Sequence, residues 1–344
     1  MSEPRGQKSL TPSSPLSPSK GLKVKALRLI GIFLLIALLY LALRDAPLIE
    51  IWAVIQRVQL WQIILILSMD FLIYMCTSAR WWFIVNADNK HVKYFPLIPV
   101  RISVFGVSYF TLGPQVGGEP LQVLYLQHAH GLTYTRAAST VVMDKLIEFL
   151  ANFVLLAFGL TAIVHAGILS NTGSPPLASM LGLAVLVAWP LIHIILLYHK
   201  IYPVSVFLRV LPATSQDSKI IRFIRASEHL AGRFCQRHPR SLLAAIFVSL
   251  LAAVGMVGEY AVITASMQVG LHFWQTAAAW TAGWLSFLVP LPGGLGALEA
   301  SQVFALGVFG YAAPIAISIV LLMRGRDLLI GGLGLILAGH RIGR

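Results

Sequence analysis

The sequence predicts an all-α polytopic membrane protein, and three observations carry that assignment. Of its 344 residues, 57% are hydrophobic and 11% are charged, against about 25% charged in a soluble domain. So few charges do not cover a water-exposed surface. Apolar runs near the ~20 residues that cross a bilayer recur along the whole length. Two further runs break at Gly- and Pro-rich segments and read as helices that enter and turn back. The expected architecture is about six full spans plus two broken, re-entrant helical hairpins. An ordinary cytosolic enzyme, a disordered chain and a disulfide scaffold are excluded. Cys76 and Cys235 are the only cysteines, and they read as free thiols.

The elements follow in order. Residues 1–25 are rich in Ser, Pro and Lys and read as a disordered cytoplasmic tail. Ala26 to Leu43 is long for a signal peptide and no small-x-small site follows, so it reads as an uncleaved first span. Leu60 to Ala79, with Asp70 inside, is the second span. Arg80-Trp81-Trp82 then reads as a basic-aromatic girdle at the membrane interface. A stretch from about Phe95 to Leu112 contains Arg101. It stops at Gly113-Pro114, with Gly117-Gly118-Glu119-Pro120 just beyond, and a short apolar return covers Leu121 to Leu126. Ala137 to His165 carries Asp144, Lys145 and Glu148. Leu177 to Tyr198 contains Pro190, a kink signal. Residues 199–240 form the longest polar segment. Leu242 to Ser266 contains Glu259. Trp274 to Val289 runs into Pro290, Pro292, Gly293, Gly294 and Gly296, with Glu299 just beyond and a half-length stretch to Phe309. Ile315 to Ala338 holds Arg324, Arg326 and Asp327. Residues 26–340 are expected to form one integral membrane domain, with halves at about 60–198 and 241–340 joined by the basic loop 199–240.

Loop charge gives the orientation, because cytoplasmic loops collect Lys and Arg. Residues 1–28 carry net +5, 80–95 net +2, 199–240 net +6 and 340–344 net +2, whereas 44–59 balances and 166–176 and 266–274 carry no Lys, Arg, Asp or Glu. The basic segments share the cytoplasmic face, and both termini are expected there. The net charge of +13 is accounted for by these loops near anionic lipid. No basic segment interleaved with aromatics suggests nucleic acid. The first broken stretch then enters and leaves from inside, and the second from outside. Gly117 and Gly293 lie 176 residues apart, and Asp144 and Asp327 lie 183 apart. This pattern predicts an inverted repeat with broken helices meeting near the midplane.

Seven of the 13 acids, Asp70, Glu119, Asp144, Glu148, Glu259, Glu299 and Asp327, fall in or beside spans. A charge at the bilayer centre costs about 2.5–3.5 kcal/mol on insertion scales, so these residues pair or face a wet cavity. Asp144 and Glu148 share a helix face, with Lys145 close by. Arg324 is expected either to pair with Asp327 or to reach the acids of the first half. Lys145 and Arg324 suit a phosphate. Half-helix N-termini after the Gly turns are expected to offer N–H donors to an anionic headgroup. No P-loop, nucleophile elbow, zincin motif or metal spacing occurs, so no catalytic residue, cofactor or metal is assigned.

These segments, in this order, resemble the lysylphosphatidylglycerol synthase transmembrane-region family, also called flippase-like membrane proteins. The resemblance rests on Arg80-Trp81-Trp82, Gly113-Pro114 with Gly117-Gly118, Asp144-Lys145 with Glu148, Pro292-Gly293-Gly294-Leu295-Gly296 with Glu299, and Arg324. Family members usually carry Glu-Arg where this chain has Asp144-Lys145. The resemblance implies movement of a polar-headed lipid (anionic, aminoacylated or prenyl-linked) across the cytoplasmic membrane. Its partners would be membrane lipids and a lipid-modifying or glycosyl-transferring enzyme. Aminoacyl transfer belongs to a soluble domain that this sequence is expected to lack. The expected pathway residues are Glu119, Asp144, Lys145, Glu148, Glu299, Arg324 and Asp327. With no nucleotide site, any drive comes from gradients or from downstream consumption of the lipid. Two alternatives stay open: a membrane-embedded enzyme using these acids, and a non-transporting accessory protein of a lipid or glycolipid synthesis pathway.

The charge distribution yields a topology test. Single cysteines introduced at positions 215 and 342 are expected to resist a membrane-impermeant maleimide added outside, while one at position 171 labels. Outside labelling at 215 would overturn the orientation.

Overall fold

The computed structural model describes residues 56, 58–89, 91–110, 117–166, 177–210, 218–287, 294 and 296–342, with side chains withheld at 177–187, 210, 219 and from 340 onward. The amino-terminal tail, the first span and the turn residues Gly113, Pro114, Pro290, Pro292 and Gly293 lie outside the described residues. Among those described, eleven α-helices and one 3-10 turn account for the structure, and no strand occurs. The helices are α1 (Leu60–Asp88), α2 (Leu97–Tyr109), α3 (Glu119–His130), α4 (Tyr134–His165), α5 (Leu177–Tyr198), α6 (Pro203–Phe207), α7 (Lys219–Arg237), α8 (Pro239–Ser266), α9 (Phe273–Ser286), α10 (Ala297–Val308) and α11 (Ala313–Ile342).

Local chemistry sets many of the boundaries. Pro120, Pro203 and Pro239 lie in first turns, where a missing N–H costs nothing. Gly131, at φ +65, closes α3 in the left-handed conformation. Helices α1, α4 and α8 are long and apolar enough to cross a membrane. Helix α11 has 30 residues, about 45 Å, but carries charges at its centre. Helices α2, α3, α9 and α10 have only 12 to 14 residues. At about 1.5 Å per residue they reach about 20 Å, short of a hydrocarbon core of about 30 Å. Each pair therefore has the lengths that a re-entrant hairpin requires, and neither helix of a pair is a full span.

The order long helix, hairpin, long helix occurs twice. Helices α1 to α4 begin at 60, 97, 119 and 134, and α8 to α11 at 239, 273, 297 and 313, so equivalent starts differ by 176 to 179 residues. Packing repeats as well. Helix α1 packs on α8, its own equivalent. Helix α2 packs on α11 just as α9 packs on α4. Arg80 bonds Ser249, the position of Gly255 lies against Ile73, and that of Gly258 lies against Met69. Along α1 the partner numbers fall as the α1 numbers rise, so equivalent helices run antiparallel. The halves are inverted, as the loop charges require.

Several boundaries differ from the sequence reading. Helix α1 runs nine residues past Ala79 and takes Arg80-Trp81-Trp82 inside the bundle. Trp81 is fully buried and Arg80 is 2% exposed, so this segment is core and not an interfacial girdle. The 199–240 segment is not a plain loop. It forms α6 and α7, and α7 lays Ala231, Phe234 and Cys235 on a core that includes Ile147, Leu150 and Leu197. Its Arg222, Arg233 and Arg237 stay exposed. Burial pushes the Cys235 thiol up to about 12, which disfavours the thiolate that reacts with a maleimide.

The hairpins depend on close backbone approach. A Cβ on Gly118 would sit 2.2 Å from the Val104 carbonyl oxygen, whereas one on Gly307 meets nothing within 4 Å. Gly118→Ala is expected to force α2 and α3 apart and cost about 1–3 kcal/mol or more, seen as a lower unfolding temperature in detergent. Gly307→Ala is expected to hold or raise it, because Ala gains about 1 kcal/mol in a helix.

Candidate functional site

A cavity of about 250 Å³ lies between the two halves, walled by α1, α2, α4, α8, α9, α10 and α11. Eight ionisable carboxyl and basic groups line it: Asp70, Arg80, Arg101, Lys145, Glu148, Glu259, Arg326 and Asp327.

The first wall belongs to the hairpin α2–α3 and the helices beside it. Asp144 is fully buried and sits at its base. It accepts from Arg80 Nε at 2.6 Å and from Arg101 Nη1 at 2.6 Å. The two guanidiniums also converge on Glu148 Oε2, at 2.5 Å from Arg80 and 2.9 Å from Arg101. A third Arg80 nitrogen donates to the Ser249 hydroxyl at 3.0 Å. Lys145 Nζ bridges Glu148 and Glu119 at 3.0 Å each. Delocalised, planar guanidinium groups suit this shared geometry, since each carboxylate receives two forks of donors.

The second wall repeats part of this plan. Arg324 Nε donates to Glu299 Oε1 at 2.7 Å and its Nη2 to Oε2 at 2.9 Å. Lys145 and Arg324 are 179 residues apart, the spacing of their helices, so a cation at the equivalent position grips the equivalent hairpin glutamate in each half. Those glutamates also take the backbone N–H of the turn: Glu119 from Gly117 at 2.7 Å and Glu299 from Gly296 at 2.9 Å. Gln302 follows Glu299 as Gln122 follows Glu119, and it receives the Tyr260 hydroxyl while donating to the Ala279 carbonyl. Arg326 bonds Glu259 and also Asp327, the latter at 2.7 Å. Asp70 completes this wall and is 8% exposed.

The expected site residues are distributed unevenly. Lys145, Glu148 and Asp327 face the cavity. Glu119, Asp144, Glu299 and Arg324 do not line it and act one layer behind, as partners of lining groups or as clasps on the hairpins. Arg324 neither meets the first-half acids nor pairs with Asp327, because Glu299 holds it and Asp327 has Arg326. At Gly117 and Gly296 the turn N–H groups serve the protein's own glutamates and not a bound headgroup. Of the turn glycines, Gly117, Gly294 and Gly296 have positive φ of 138°, 63° and 79°, a region that favours glycine. Gly118 is required by its contact with Val104. Asp70 and Glu259, read from sequence as acids that pair or face a wet cavity but not as pathway residues, belong to the site, as do Arg80, Arg101 and Arg326. Arg80 and Glu259 share the 179-residue spacing, as do Asp70 and Ser249, so the repeat is a signal for Asp70, Arg80 and Glu259 but not for Arg101 or Arg326, whose equivalents are Ala277 and Ile147. Among the described residues no three His, Cys, Asp or Glu side chains are placed to hold a metal ion.

Residues 28–334 match the model of the lysylphosphatidylglycerol synthase TM region. A UPF0104 membrane protein of Pyrococcus horikoshii is 22% identical over 315 residues, covering 88% of this chain and 92% of that protein. No solved structure matches.

Removing one member of a buried charge group leaves its partners uncompensated, at about 3–5 kcal/mol. Asp144→Asn is therefore expected to cause a large loss of thermal stability in detergent. Glu119→Gln, at a side chain 19% exposed, is expected to cost about 1 kcal/mol. Equal effects would show that Asp144 is not the base of the cluster.

Proposed function

Because this chain belongs to the lysylphosphatidylglycerol synthase transmembrane-region family, we propose that it moves a polar-headed membrane lipid between leaflets through the cavity between its two halves. The headgroup enters the cavity while the acyl or prenyl chains stay in the bilayer. One observation carries this reading: the cavity is charged in opposite senses on its two walls. The first presents Arg80, Arg101, Lys145 and Glu148, with the compensating Asp144 and Glu119 set behind. The second presents Asp70, Glu259 and Asp327 around Arg326. A headgroup holding a phosphate and an amine finds cations on one side and carboxylates on the other, each able to form charge-assisted hydrogen bonds. An aminoacylated lipid has that chemistry, which makes it the favoured member of the anionic, aminoacylated and prenyl-linked set.

The inverted halves support movement as well as binding. Repeats of opposite orientation around one central site give two conformations, each opening the site to a different face. Irregular backbone at membrane depth, such as the positive φ at Gly117 and Gly296, is tolerated where protein buries it or it lines a water-filled cavity. We place the chain in the cytoplasmic membrane with both ends inside, as a transporter and not an enzyme, working beside an enzyme that makes or consumes the lipid.

A leaflet-resolved assay tests this. Proteoliposomes with labelled anionic, aminoacylated and prenyl-linked lipids are expected to show protein-dependent movement, fastest for the lipid bearing both charges. Lys145→Gln is expected to slow it about tenfold or more, the loss of one hydrogen bond to a charged group. Chemical turnover of the lipid would establish the enzyme reading. Neither movement nor turnover would favour the accessory reading.

A further inference from the structure

Asp70 stands apart from every other charge in the cavity. Arg80, Arg101, Lys145, Glu148, Glu259, Arg326 and Asp327 each have an ion pair, whereas Asp70 has no hydrogen bond or ion pair among the described residues. Yet it is nine-tenths buried and lines the cavity. An ionised carboxylate in that condition is strongly unfavourable.

The helix register shows what faces it. Helices α1 and α8 run antiparallel with Arg80 against Ser249. Asp70 lies ten residues before Arg80, and Glu259 lies ten residues after Ser249, so Asp70 comes level with Glu259. In the repeat Asp70 corresponds to Ser249, and Glu259 corresponds to Arg80. The Arg80–Ser249 contact is a guanidinium donating to a hydroxyl. Its counterpart brings two carboxyl groups together, and those bond only with a proton between them. The other charged groups near Asp70 are Arg326 and Asp327 on α11, and Tyr74 lies one turn away on α1. Arg326 is already engaged by Glu259 and Asp327. The cationic cluster from α2 and α4, with Arg101, Lys145 and Glu148, gathers around Arg80, about 15 Å further along α1. Three acids around one cation lack positive charge, and two carboxyl groups brought level can supply it by sharing a proton.

We propose that Asp70 is an exchangeable proton site facing Glu259, and that lipid movement through the cavity is coupled to protons there. The carboxyl takes its proton from cavity water, donates it in a hydrogen bond to Glu259 and returns it to water when the site faces the other side. A positively charged headgroup amine competes for the same wall, so proton and lipid exchange for one another. The coupling rests on the transport reading above, but the proton site itself does not.

Two measurements separate them. Infrared difference spectra of the purified full-length protein, taken between acid and alkaline pH without lipid substrate, are expected to show a protonated-carboxyl band that Asp70→Asn removes. A wild type without that band, or a band unchanged in Asp70→Asn, would overturn the proton site. Asparagine has the shape of the protonated acid, so Asp70→Asn is expected to unfold at the wild-type temperature. A marked fall would mean that the ionised carboxylate holds Arg326, and would also overturn it. In proteoliposomes containing an aminoacylated phospholipid, an imposed pH gradient is expected to speed movement severalfold in the wild type. In Asp70→Asn the ratio with and without the gradient is expected to fall to unity, and a persisting response would sink the coupling. Absence of lipid movement in both would overturn the transport reading and the coupling with it, while the infrared band decides the proton site by itself.

Discussion

Charge compensation inside an apolar bundle is the constraint on which the rest of this structure depends. Twelve ionisable side chains, Asp70, Arg80, Arg101, Glu119, Asp144, Lys145, Glu148, Glu259, Glu299, Arg324, Arg326 and Asp327, meet between helices that are otherwise hydrophobic. Desolvating a charge costs several kcal/mol unless a partner and further hydrogen bonds meet it. The long helices α1, α4, α8 and α11 are therefore brought together around their polar positions. The charges that hold the helices in place are the same charges that make the cavity between them polar.

The internal repeat organises that compensation. In each half the glutamate in the first turn of the second hairpin helix takes a turn N–H with one carboxylate oxygen and grips a cation on the next long helix. This clasp ties the re-entrant hairpin to its own half. The opposite hairpin helix then packs on the other half, α2 on α11 and α9 on α4, so the halves interlock. Close contacts between Gly106, Gly331 and Gly334 let α2 and α11 approach at backbone distance, as small residues do in membrane bundles.

The halves part company at their centres. Where the first has Arg80 beside a serine from the opposite helix, the second has Glu259 beside Asp70. A symmetric pore would present the same field to both ends of a headgroup. The divergence gives one cationic and one anionic wall, a polarity that fits a dipolar ligand and leaves one acid without a fixed partner.

The sequence by itself determined the class of fold, the order of the apolar and broken helices and the existence of two inverted halves, but not the helices α6 and α7 in its basic segment. Hydropathy, Gly and Pro breaks and loop charge are local or additive properties, legible without knowing which helices touch. Spacing also marked Lys145 and Glu148 as neighbours, because three and four residues along a helix fix a shared face. Which charges pair was decided only by the tertiary structure. Arg80 sat beside two tryptophans and read as interfacial, but α1 continues past it and buries it on Asp144 and Glu148, 64 and 68 residues away. From sequence Arg324 has the acids of the first half within reach, but in the fold Glu299 holds it at 2.7 Å. Pairing between distant helices depends on their register and crossing, and these follow from side-chain packing summed over whole helix faces. No single stretch of sequence contains that sum.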